Sequence, residues 1–580
     1  MTPRSAFMPA NTIRLTGAQL LVRGLQAEGV QHAFGIVGGK LGPPLKALAD
    51  SPIRWTGVRH EAAGPVMAAA VFARSGAVAL AVGEMGPGGL NLAAGAGVAA
   101  NNHLAALLVT TNQHRAAAYP HSGMFMDLAT RALLAPLVKW NAVVHNVRRL
   151  PELLRTALRQ ALSGRPGPVH LDIPQDVLAG EIDWPADDLD VPPARYRPLH
   201  APRPNALALQ QAADLLAGAR QPLIVAGGGV VAADGVAALQ AVAARLRSPV
   251  APTQMALGAV PSSSAHWIGH GGLIAGPATQ RAFAEADVVL AVGCRFSSWL
   301  WDEHGPLVRR QQALININID PAALGAPALH HVALQADARE ALTDLLMALQ
   351  PLQPQADAAW LPALHAQHVA DLQQMRATAA ADTDPVMHPA ALADAIGRAL
   401  PDDALVVYDG GHTSFWSNDL TPVHAPRTRF HDPGMCQLGG GLPWALALQR
   451  LEPGRPVFNL TGDGSFGFTL QELDTARREG LPVVTVIHDN AAWGIIRAGQ
   501  QRAGFSLGTV LEGTDDAAIA RGFGCHGETV RTAAEVAPAL VRALASGLPA
   551  VLDCRTRCVP HPAGQAFGSM NRYGFCTPAA

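Results

Sequence analysis

The chain has 580 residues, 49% of them hydrophobic, with 43 Lys and Arg against 45 Asp and Glu and a formal net charge of −2. This length allows roughly three or four domains, and so balanced a charge provides no basic surface for nucleic acid, which excludes that class of partner. The 6 cysteines are scattered and do not predict a disulfide scaffold.

The N-terminal block, residues 12–183, is predicted to be an α/β domain. The segment AQLLVRGLQAEGV has the periodicity of an amphipathic helix, and QHAFGIV is the strand predicted after it. GAVALAVG and LAALLVTT are continuous apolar runs of strand length. The first residues lack an apolar core of signal-peptide length, and no apolar run predicts a membrane span. We therefore expect a cytoplasmic protein that does not contact a membrane.

A proline-rich linker, residues 184–205, leads to a central block over residues 205–350. Its predicted strands are QPLIVAGGG, ADVVLAVGC and ALININID. The glycines at 227–229 fit either a dinucleotide-binding turn or a structural turn. The full G-x-G-x-x-G spacing is absent, and this favours the structural turn.

A weakly patterned segment, residues 350–388, separates a third block over residues 388–559, which is followed by a tail or lid at 560–580. The strands predicted in the third block are ALVVYDGG, PVFNLTGDG and LPVVTVIHDN. Continuous apolar strands that alternate with helices predict parallel sheets covered on both faces. The predicted fold class is therefore α/β, with three α/β sandwich domains and a Rossmann-like central one, and ligands should bind at the carboxyl ends of the strands.

Two strand ends in the third block carry a carboxylate and an amide. Asp463 lies between two glycines after one strand, and Asn490 ends the next. A helix predicted over 469–480, with Gly480 as its C-cap, runs back about 18 Å, and the following strand returns about 20 Å. The two side chains should then share one sheet edge, where their oxygens suit Mg²⁺. Two ordinary strand-end turns are the alternative interpretation.

This pattern resembles the signature of the thiamine-diphosphate-dependent enzymes, GDG followed after a spacer by Asn-Asn. The resemblance implies that Asp463, Asn490 and the main-chain carbonyl of Ala492 hold Mg²⁺, which in turn holds the diphosphate of thiamine diphosphate. In this chain Asp489 replaces the first Asn, a position that is not a metal ligand in the family. The resemblance assigns cofactor contacts in this signature to Gly462, Asp463, Gly464, Ser465, Asn490 and Ala492.

A second match lies about 400 residues upstream. A thiamine enzyme needs a carboxylic acid to protonate N1′ of the aminopyrimidine, and a Glu in a mostly apolar site suits this role. The segment GVRHEAAGPVMAAA fits the family pattern of Arg-His-Glu followed by a helix of small residues, which assigns the catalytic role to Glu61. Glu61 is expected to open that helix. A Glu that only stabilises a helix start is the alternative.

Nearly the whole chain follows the three-domain order of acetolactate synthase, pyruvate oxidase and benzoylformate decarboxylase. The segment DGGHTSFW resembles the family's diphosphate loop, which implies phosphate contacts from Gly411, His412 and Thr413. GMCQLGGGLP implies that Leu438 lies beneath the thiazolium and bends the cofactor. In this architecture Glu61 and Asp463 meet between subunits, so the resemblance implies a homodimer or homotetramer.

The reaction is less well defined, because the chain departs from the synthases around the substrate. Phe125-Met126-Asp127 stands where they have Phe-Gln-Glu, and Gly499 where biosynthetic synthases have a Trp that handles 2-ketobutyrate. Glu84 replaces a Thr and aligns near a catalytic His of benzoylformate decarboxylase, so it is either a proton shuttle or a loop cap.

Three histidines, His114, His121 and His488, are further candidate shuttles, although most single histidines are structural. The tail after Val559 could close over the site or be disordered. The related 2-hydroxyacyl-CoA lyases and oxalyl-CoA decarboxylases bind CoA near that region. FAD or a nucleotide in the central block is undecided, because the synthases' arginine motif is only partly matched around Arg295.

We therefore predict a thiamine-diphosphate- and Mg²⁺-dependent enzyme that makes or breaks a C–C bond next to a carbonyl. Its closest resemblance is to acetolactate synthases, which implies decarboxylation and carboligation of a 2-oxoacid. The alternatives are a 2-hydroxyacyl-CoA lyase or oxalyl-CoA decarboxylase acting on an acyl-CoA, and a catalytically idle scaffold subunit. Retention of Glu61, Asp463 and Asn490 argues against the scaffold.

Overall fold

The computed structural model describes residues 11–118, 123–272, 274–302, 305–325 and 328–563. Its contacts divide the chain into two compact units, Met1–His200 and Ala201–Ala580. Both are built on parallel sheets with helices packed against them, which confirms the predicted α/β fold class. Among the described residues, no helix is both long enough and apolar enough to cross a membrane.

The first unit contains a six-stranded parallel sheet and a two-stranded antiparallel ribbon. Its elements are β1 (Thr12–Thr16), α1 (Gly17–Glu28), β2 (His32–Gly35), α2 (Gly42–Ala49), β3 (Arg54–Gly57), α3 (Ala63–Ser75), β4 (Leu80–Gly83), α4 (Pro87–Asn101), β5 (Leu107–Asn112), α5 (Arg115–Ala118), α6 (Thr130–Leu134), β6 (Trp140–Val143), α7 (Leu150–Leu162), β7 (Val169–Pro174), α8 (Gln175–Ala179) and β8 (Glu181–Pro185). The sheet order is β3-β2-β4-β5-β7-β6, and β1 pairs with β8. Because all six strands are parallel, β2, β3, β4, β5 and β7 end at one common edge.

Helix α1 begins and ends where its sequence dictates. Thr16 and Gln19 form a reciprocal capping box at its start, which satisfies backbone N–H groups that have no partner inside the helix. Gly29 ends the helix in a left-handed conformation with φ +88°. The helix then packs Leu21 and Leu25, both almost fully buried, into the core of the first unit.

The second unit begins with a five-stranded parallel sheet of order β10-β9-β11-β14-β15. Its elements are α9 (Ala206–Gly218), β9 (Pro222–Ala226), α10 (Gly228–Ala232), α11 (Val236–Leu246), β10 (Val250–Pro252), α12 (Pro277–Glu285), β11 (Val288–Val292), β12 (Trp301–Asp302), β13 (Gly305–Pro306), β14 (Ala313–Asn318), β15 (Val332–Gln335), α13 (Ala338–Leu349) and α14 (Trp360–Ala380). A Cβ added to Gly227 would lie 2.2 Å from the carbonyl oxygen of Gly293, and one added to Gly229 would lie 2.7 Å from the Gly293 Cα. Close packing of the start of α10 against Gly293 therefore accounts for these glycines, which fits the structural interpretation.

The same unit contains a second parallel sheet of order β17-β16-β18-β19-β21-β20. Its elements are α15 (Pro389–Ala399), β16 (Leu405–Tyr408), α16 (His412–Leu420), β17 (Arg429–His431), α17 (Gly441–Leu451), β18 (Val457–Gly462), α18 (Asp463–Phe466), α19 (Glu472–Glu479), β19 (Val484–Asp489), α20 (Gly494–Arg502), α21 (Asp516–Gly522), β20 (His526–Val530), α22 (Ala533–Ala545) and β21 (Ala550–Arg555). Apolar side chains of both sheets join in one core cluster.

The helix predicted over 469–480 is shorter than expected. Helix α19 begins only at Glu472, because residues 467–471 form consecutive turns after α18. Gly480 is its C-cap with φ +63°, as predicted. The shorter helix leaves the strand pairing intact, since β18 and β19 are parallel neighbours.

Candidate active site

The two loops predicted to bind a metal lie side by side at the carboxyl edge of the six-stranded sheet of the second unit. Gly462 pairs with His488 in the parallel register of β18 and β19, so the chain leaves both strands at the same level. The backbone N–H of Ala492 donates to Oδ2 of Asp463 at 3.1 Å. The spacing argument therefore gave the right relative placement of Asp463 and the 490–492 turn.

The oxygen atoms at this edge suit a hard cation. Burial, and after it the nearby Asp489 carboxylate, raises the pKa of Asp463 to about 7. Oδ1 of Asn490 is buried and has no hydrogen-bond partner among the described residues. An unpaired buried oxygen costs about 1–3 kcal/mol, and Mg²⁺ prefers carboxylate and amide oxygens. These residues therefore fit a Mg²⁺ ion.

Asp489, which departs from the family signature, is held by an ion pair and by the turn that follows it. Its Oδ2 lies 2.5 Å from Nη1 of Arg555, and Arg555 also contacts Asp553. Oδ1 of Asp489 accepts the N–H of Ala491 at 2.9 Å, a local turn typical of Asp. Ala491 has φ +50°, a conformation uncommon for a residue other than glycine. Asp489 thus stabilises the turn that presents Asn490.

Glycines keep the adjoining loops close together. A Cβ added to Gly464 would lie 2.4 Å from the Trp493 ring, and one added to Gly411 would lie 2.4 Å from Cδ1 of Ile495. Gly410 has φ +89°, and Oγ of Ser465 lies 3.0 Å from the position of its added Cβ. The loops at 410–413 and 462–465 therefore meet, as an anion-binding cradle built from both loops requires.

His412 and Thr413 begin α16 at this cradle. Burial lowers the pKa of His412 to about 4, so its ring is neutral at pH 7 and has one N–H to donate. Its Nδ1 atom is buried and has no hydrogen-bond partner in the described part of the chain. Oγ1 of Thr413 lies 3.1 Å from the Cβ position of Gly462. These polar groups fit a diphosphate.

Asp409 is a residue that the sequence analysis missed. It follows β16 and is buried, and its Oδ2 accepts the backbone N–H groups of Gly439 and Gly441, each at 3.1 Å. Oγ1 of Thr461 adds a bond of 3.3 Å. Burial raises the pKa of Asp409 to about 6. Asp409 therefore fixes the loop that carries the half-buried Leu438.

In the first unit, Glu61 lies in the turn between β3 and α3, two residues before the helix begins. It does not open the helix as the sequence predicted, although its carbonyl accepts the N–H of Gly64. Nδ2 of Asn91, on α4, donates to Oε2 of Glu61 at 2.9 Å. A Cβ added to Gly88 would lie 3.3 Å from Oε1. Glu61 is thus oriented by one hydrogen bond at the carboxyl edge of the sheet.

Glu84 follows β4 at the same edge. Its Oε1 accepts the backbone N–H of Lys40 at 2.8 Å, and its Oε2 lies 1.4 Å from where a Cβ on Gly38 would be. Both oxygens therefore face the loop after β2. This contact favours the loop-cap interpretation of Glu84, and the shuttle role stays a prediction.

The remaining candidate residues do not gather at one place. His114 is exposed, and its Nε2 lies 3.9 Å from Asp176. Burial lowers the pKa of His488 to about 3, so its imidazole ring is neutral at pH 7. Gly499 is buried inside α20. His121 and the tail from residue 564 lie outside the described residues.

Three family models match consecutive parts of the chain. They are the thiamine pyrophosphate enzyme N-terminal TPP binding domain over residues 15–131, the central domain over 209–345 and the C-terminal TPP binding domain over 409–554. The chain is 30% identical to a probable acetolactate synthase large subunit of Methanocaldococcus jannaschii, covering 93% of this chain and 91% of the relative. It is 30% identical to the acetolactate synthase isozyme 2 large subunit of Escherichia coli, covering 93% and 95%. A probable 2-ketoarginine decarboxylase of Pseudomonas aeruginosa is 34% identical, covering 88% and 89%.

Proposed function

The chain belongs to the thiamine pyrophosphate enzyme family, and we propose that it acts as a Mg²⁺-dependent 2-oxoacid decarboxylase and carboligase. It is an enzyme of the transferase or lyase type that uses thiamine diphosphate. When bound, this cofactor supplies a carbanion that adds to a carbonyl carbon and stores the charge left after CO₂ departs. The chain's own residues have to bind, orient and protonate.

One observation above all supports the Mg²⁺ requirement. Oδ1 of Asn490 is buried and has no partner among the described residues, and Ala492, two residues on, donates its N–H to the Asp463 carboxylate. We assign both side chains and the carbonyl of Ala492 as the ligands of Mg²⁺. Gly411, His412 and Thr413 would hold the diphosphate, with the 462–465 loop on the other side of the cradle.

Glu61 is the proposed proton donor to N1′ of the aminopyrimidine. Its hydrogen bond from Asn91 leaves the second carboxyl oxygen available for that atom. Proton transfer by a positioned side chain contributes about 10²–10⁴-fold to a rate. Leu438, held through Asp409, is the proposed support beneath the thiazolium ring.

Replacing Asp409 tests that last assignment. Asp409→Ala removes the acceptor of two buried N–H groups, each worth about 1–3 kcal/mol when left unpaired. We expect kcat to fall at least about tenfold as the Leu438 loop loosens. Asp409→Asn keeps a carbonyl oxygen for the same donors and should retain most activity. Steady-state kinetics and cofactor titration would measure both, and equal activity of the Ala and wild-type proteins would contradict the role.

A substrate panel tests the proposed reaction. Pyruvate, 2-oxobutyrate, 2-ketoarginine and a 2-hydroxyacyl-CoA would each be incubated with the holoenzyme, while CO₂, aldehyde and ligated products are measured. We expect CO₂ and a 2-hydroxy-3-oxoacid from at least one 2-oxoacid. Cleavage of the acyl-CoA alone, without CO₂ from any 2-oxoacid, would contradict the proposal.

Decarboxylation without ligation is the second candidate function. It is favoured by the 34% identity to the probable 2-ketoarginine decarboxylase and by the absence of a side chain at Gly499. The same panel separates the two, because a decarboxylase alone releases one aldehyde for each CO₂.

A further inference from the structure

Lys40 is a lysine held at the carboxyl edge of the first unit's parallel sheet. It lies in the loop after β2, and that loop is fixed because Glu84 accepts the Lys40 N–H and packs against Gly38. Glu84, at the end of β4, therefore fixes the backbone that carries the Lys40 ammonium group. Such fixed side chains lose little entropy when they bind a ligand.

The partners of the Lys40 ammonium are neutral. Nζ donates to Oε1 of Gln175 at 3.0 Å and to Oε1 of Gln113 at 3.4 Å. Gln113 is itself held, since its Nε2 donates to the carbonyl of Phe125 at 2.6 Å. Of the side chains that the structure describes, no carboxylate lies within 4.0 Å of Nζ. An ammonium has three donors, so one donor and the full positive charge are left for an anion.

Lys40 lies at the same edge of the sheet as Glu61, the proposed catalytic acid. Gln113 follows β5 and Gln175 follows β7, so the two amide side chains that hold the ammonium lie along the same carboxyl edge of the sheet as Glu61. Gly88 is close to both acids, because its added Cβ would lie 3.3 Å from Oε1 of Glu61 and 3.4 Å from Cβ of Glu84. Open parallel sheets bind their ligands at this edge.

Two carboxylates enter the proposed reaction, and an ammonium affects them in opposite ways. The donor's carboxylate leaves as CO₂, so a cation that stabilises its charge before the bond breaks would raise the barrier. The acceptor's carboxylate stays intact from binding to product. An ion pair with the acceptor therefore improves binding without opposing the chemistry.

We propose that Lys40 binds the carboxylate of the acceptor 2-oxoacid and thereby favours ligation over release of an aldehyde. This inference rests on the proposed function. Two 2-oxoacids and one proton give CO₂ and one 2-hydroxy-3-oxoacid. The donor's C–C bond to its carboxylate breaks, its electron pair forms the bond to the acceptor's carbonyl carbon, and the proton goes to the acceptor oxygen. Without an acceptor, the same pair takes a proton and an aldehyde leaves.

Product partition in the holoenzyme is the first test. Lys40→Met should lower the ratio of ligated product to aldehyde from pyruvate by at least about tenfold, because the acceptor loses one charge-assisted hydrogen bond. Release of CO₂ and affinity for thiamine diphosphate should change less than about threefold. Lys40→Arg should keep most of the ratio, and Lys46→Met, at an exposed position on α2, is the matched control. An unchanged ratio in Lys40→Met, or aldehyde as the sole product of the wild type, would overturn the inference.

Amine labelling gives a second readout that does not depend on turnover. The chain has only the lysines Lys40, Lys46 and Lys139, so mass spectrometry can follow each one. Millimolar pyruvate should protect Lys40 several-fold in the holoenzyme, and uncharged methyl pyruvate should not; Lys46 should label equally in both. Equal labelling of Lys40 with and without pyruvate would overturn the inference, whereas absence of CO₂ with intact protection would count against the proposed function alone.

Discussion

Glu61→Gln is expected to abolish turnover while leaving the cofactor bound. Oε1 of the new amide can still accept the hydrogen bond from Asn91, which now reaches Glu61 at 2.9 Å, so the local fold should be unchanged. The amide has no acidic proton for N1′ of the aminopyrimidine, and we expect kcat to fall by about 10²–10⁴-fold. Calorimetry should give a dissociation constant for thiamine diphosphate within about threefold of the wild type.

A surface carboxylate in the same unit provides the matched control for this variant. Glu152, exposed in the first turn of α7, pairs with Arg149 just before that helix, and exposed ion pairs of this kind contribute little to stability. Glu152→Gln should therefore retain full activity. Wild-type turnover in Glu61→Gln would remove the assigned role, and a loss of cofactor binding would show that the residue acts structurally.

Asp463→Asn is expected to lose the Mg²⁺-dependent binding of the cofactor. The substitution replaces the only carboxylate among the proposed ligands of Mg²⁺ with a neutral amide, and we expect affinity for the cofactor to fall at least about 100-fold. Asp489→Asn is the control, because that carboxylate contacts Arg555. An Asn there can keep the turn bond to Ala491 through its amide oxygen, so affinity should change less than about threefold.

Calorimetric titrations with and without Mg²⁺ would compare the two variants. Equal losses in Asp463→Asn and Asp489→Asn would contradict the ligand assignment. Cofactor binding by Asp463→Asn at wild-type affinity would do so as well.

Combining the two inactive variants tests the subunit arrangement. If Glu61 of one subunit works with Asp463 of another, co-expression of Glu61→Gln with Asp463→Asn forms mixed dimers with one intact site each. Random pairing then gives about a quarter of wild-type activity. Activity that stays at the level of the single variants would indicate that each site is built from one subunit or that no dimer forms.

The features predicted from the sequence are those set by local pattern. Continuous apolar strands predicted the parallel sheets, and the strand–helix–strand length brought Asp463 to the turn after Asn490 even though α19 is shorter than expected. The glycines at 227–229 lie where β9 leads into α10, and their packing against Gly293 fits the structural interpretation. Glu61 matched by motif, although the helix begins two residues later than predicted.

The features that sequence reasoning missed depend on which strands become neighbours. Asp409 meets Gly439 because β16 lies beside β18 and the loop before α17 folds back on it. Arg555 reaches Asp489 only because β21 pairs with β19, 66 residues further along the chain. Lys40 is held by groups at the ends of β5 and β7. Sequence spacing alone does not determine sheet order, so these contacts carried no local signal.

Release of CO₂ from pyruvate and the other 2-oxoacids, measured on metal-stripped protein, is the most direct test of the central proposal. The enzyme would be treated with EDTA, dialysed and supplied with thiamine diphosphate, Mg²⁺ or both. We expect CO₂ release only when both are present, because the proposed ligands Asp463 and Asn490 would hold the diphosphate through the ion. Equal rates with thiamine diphosphate alone, or no CO₂ from any 2-oxoacid with both, would contradict the account.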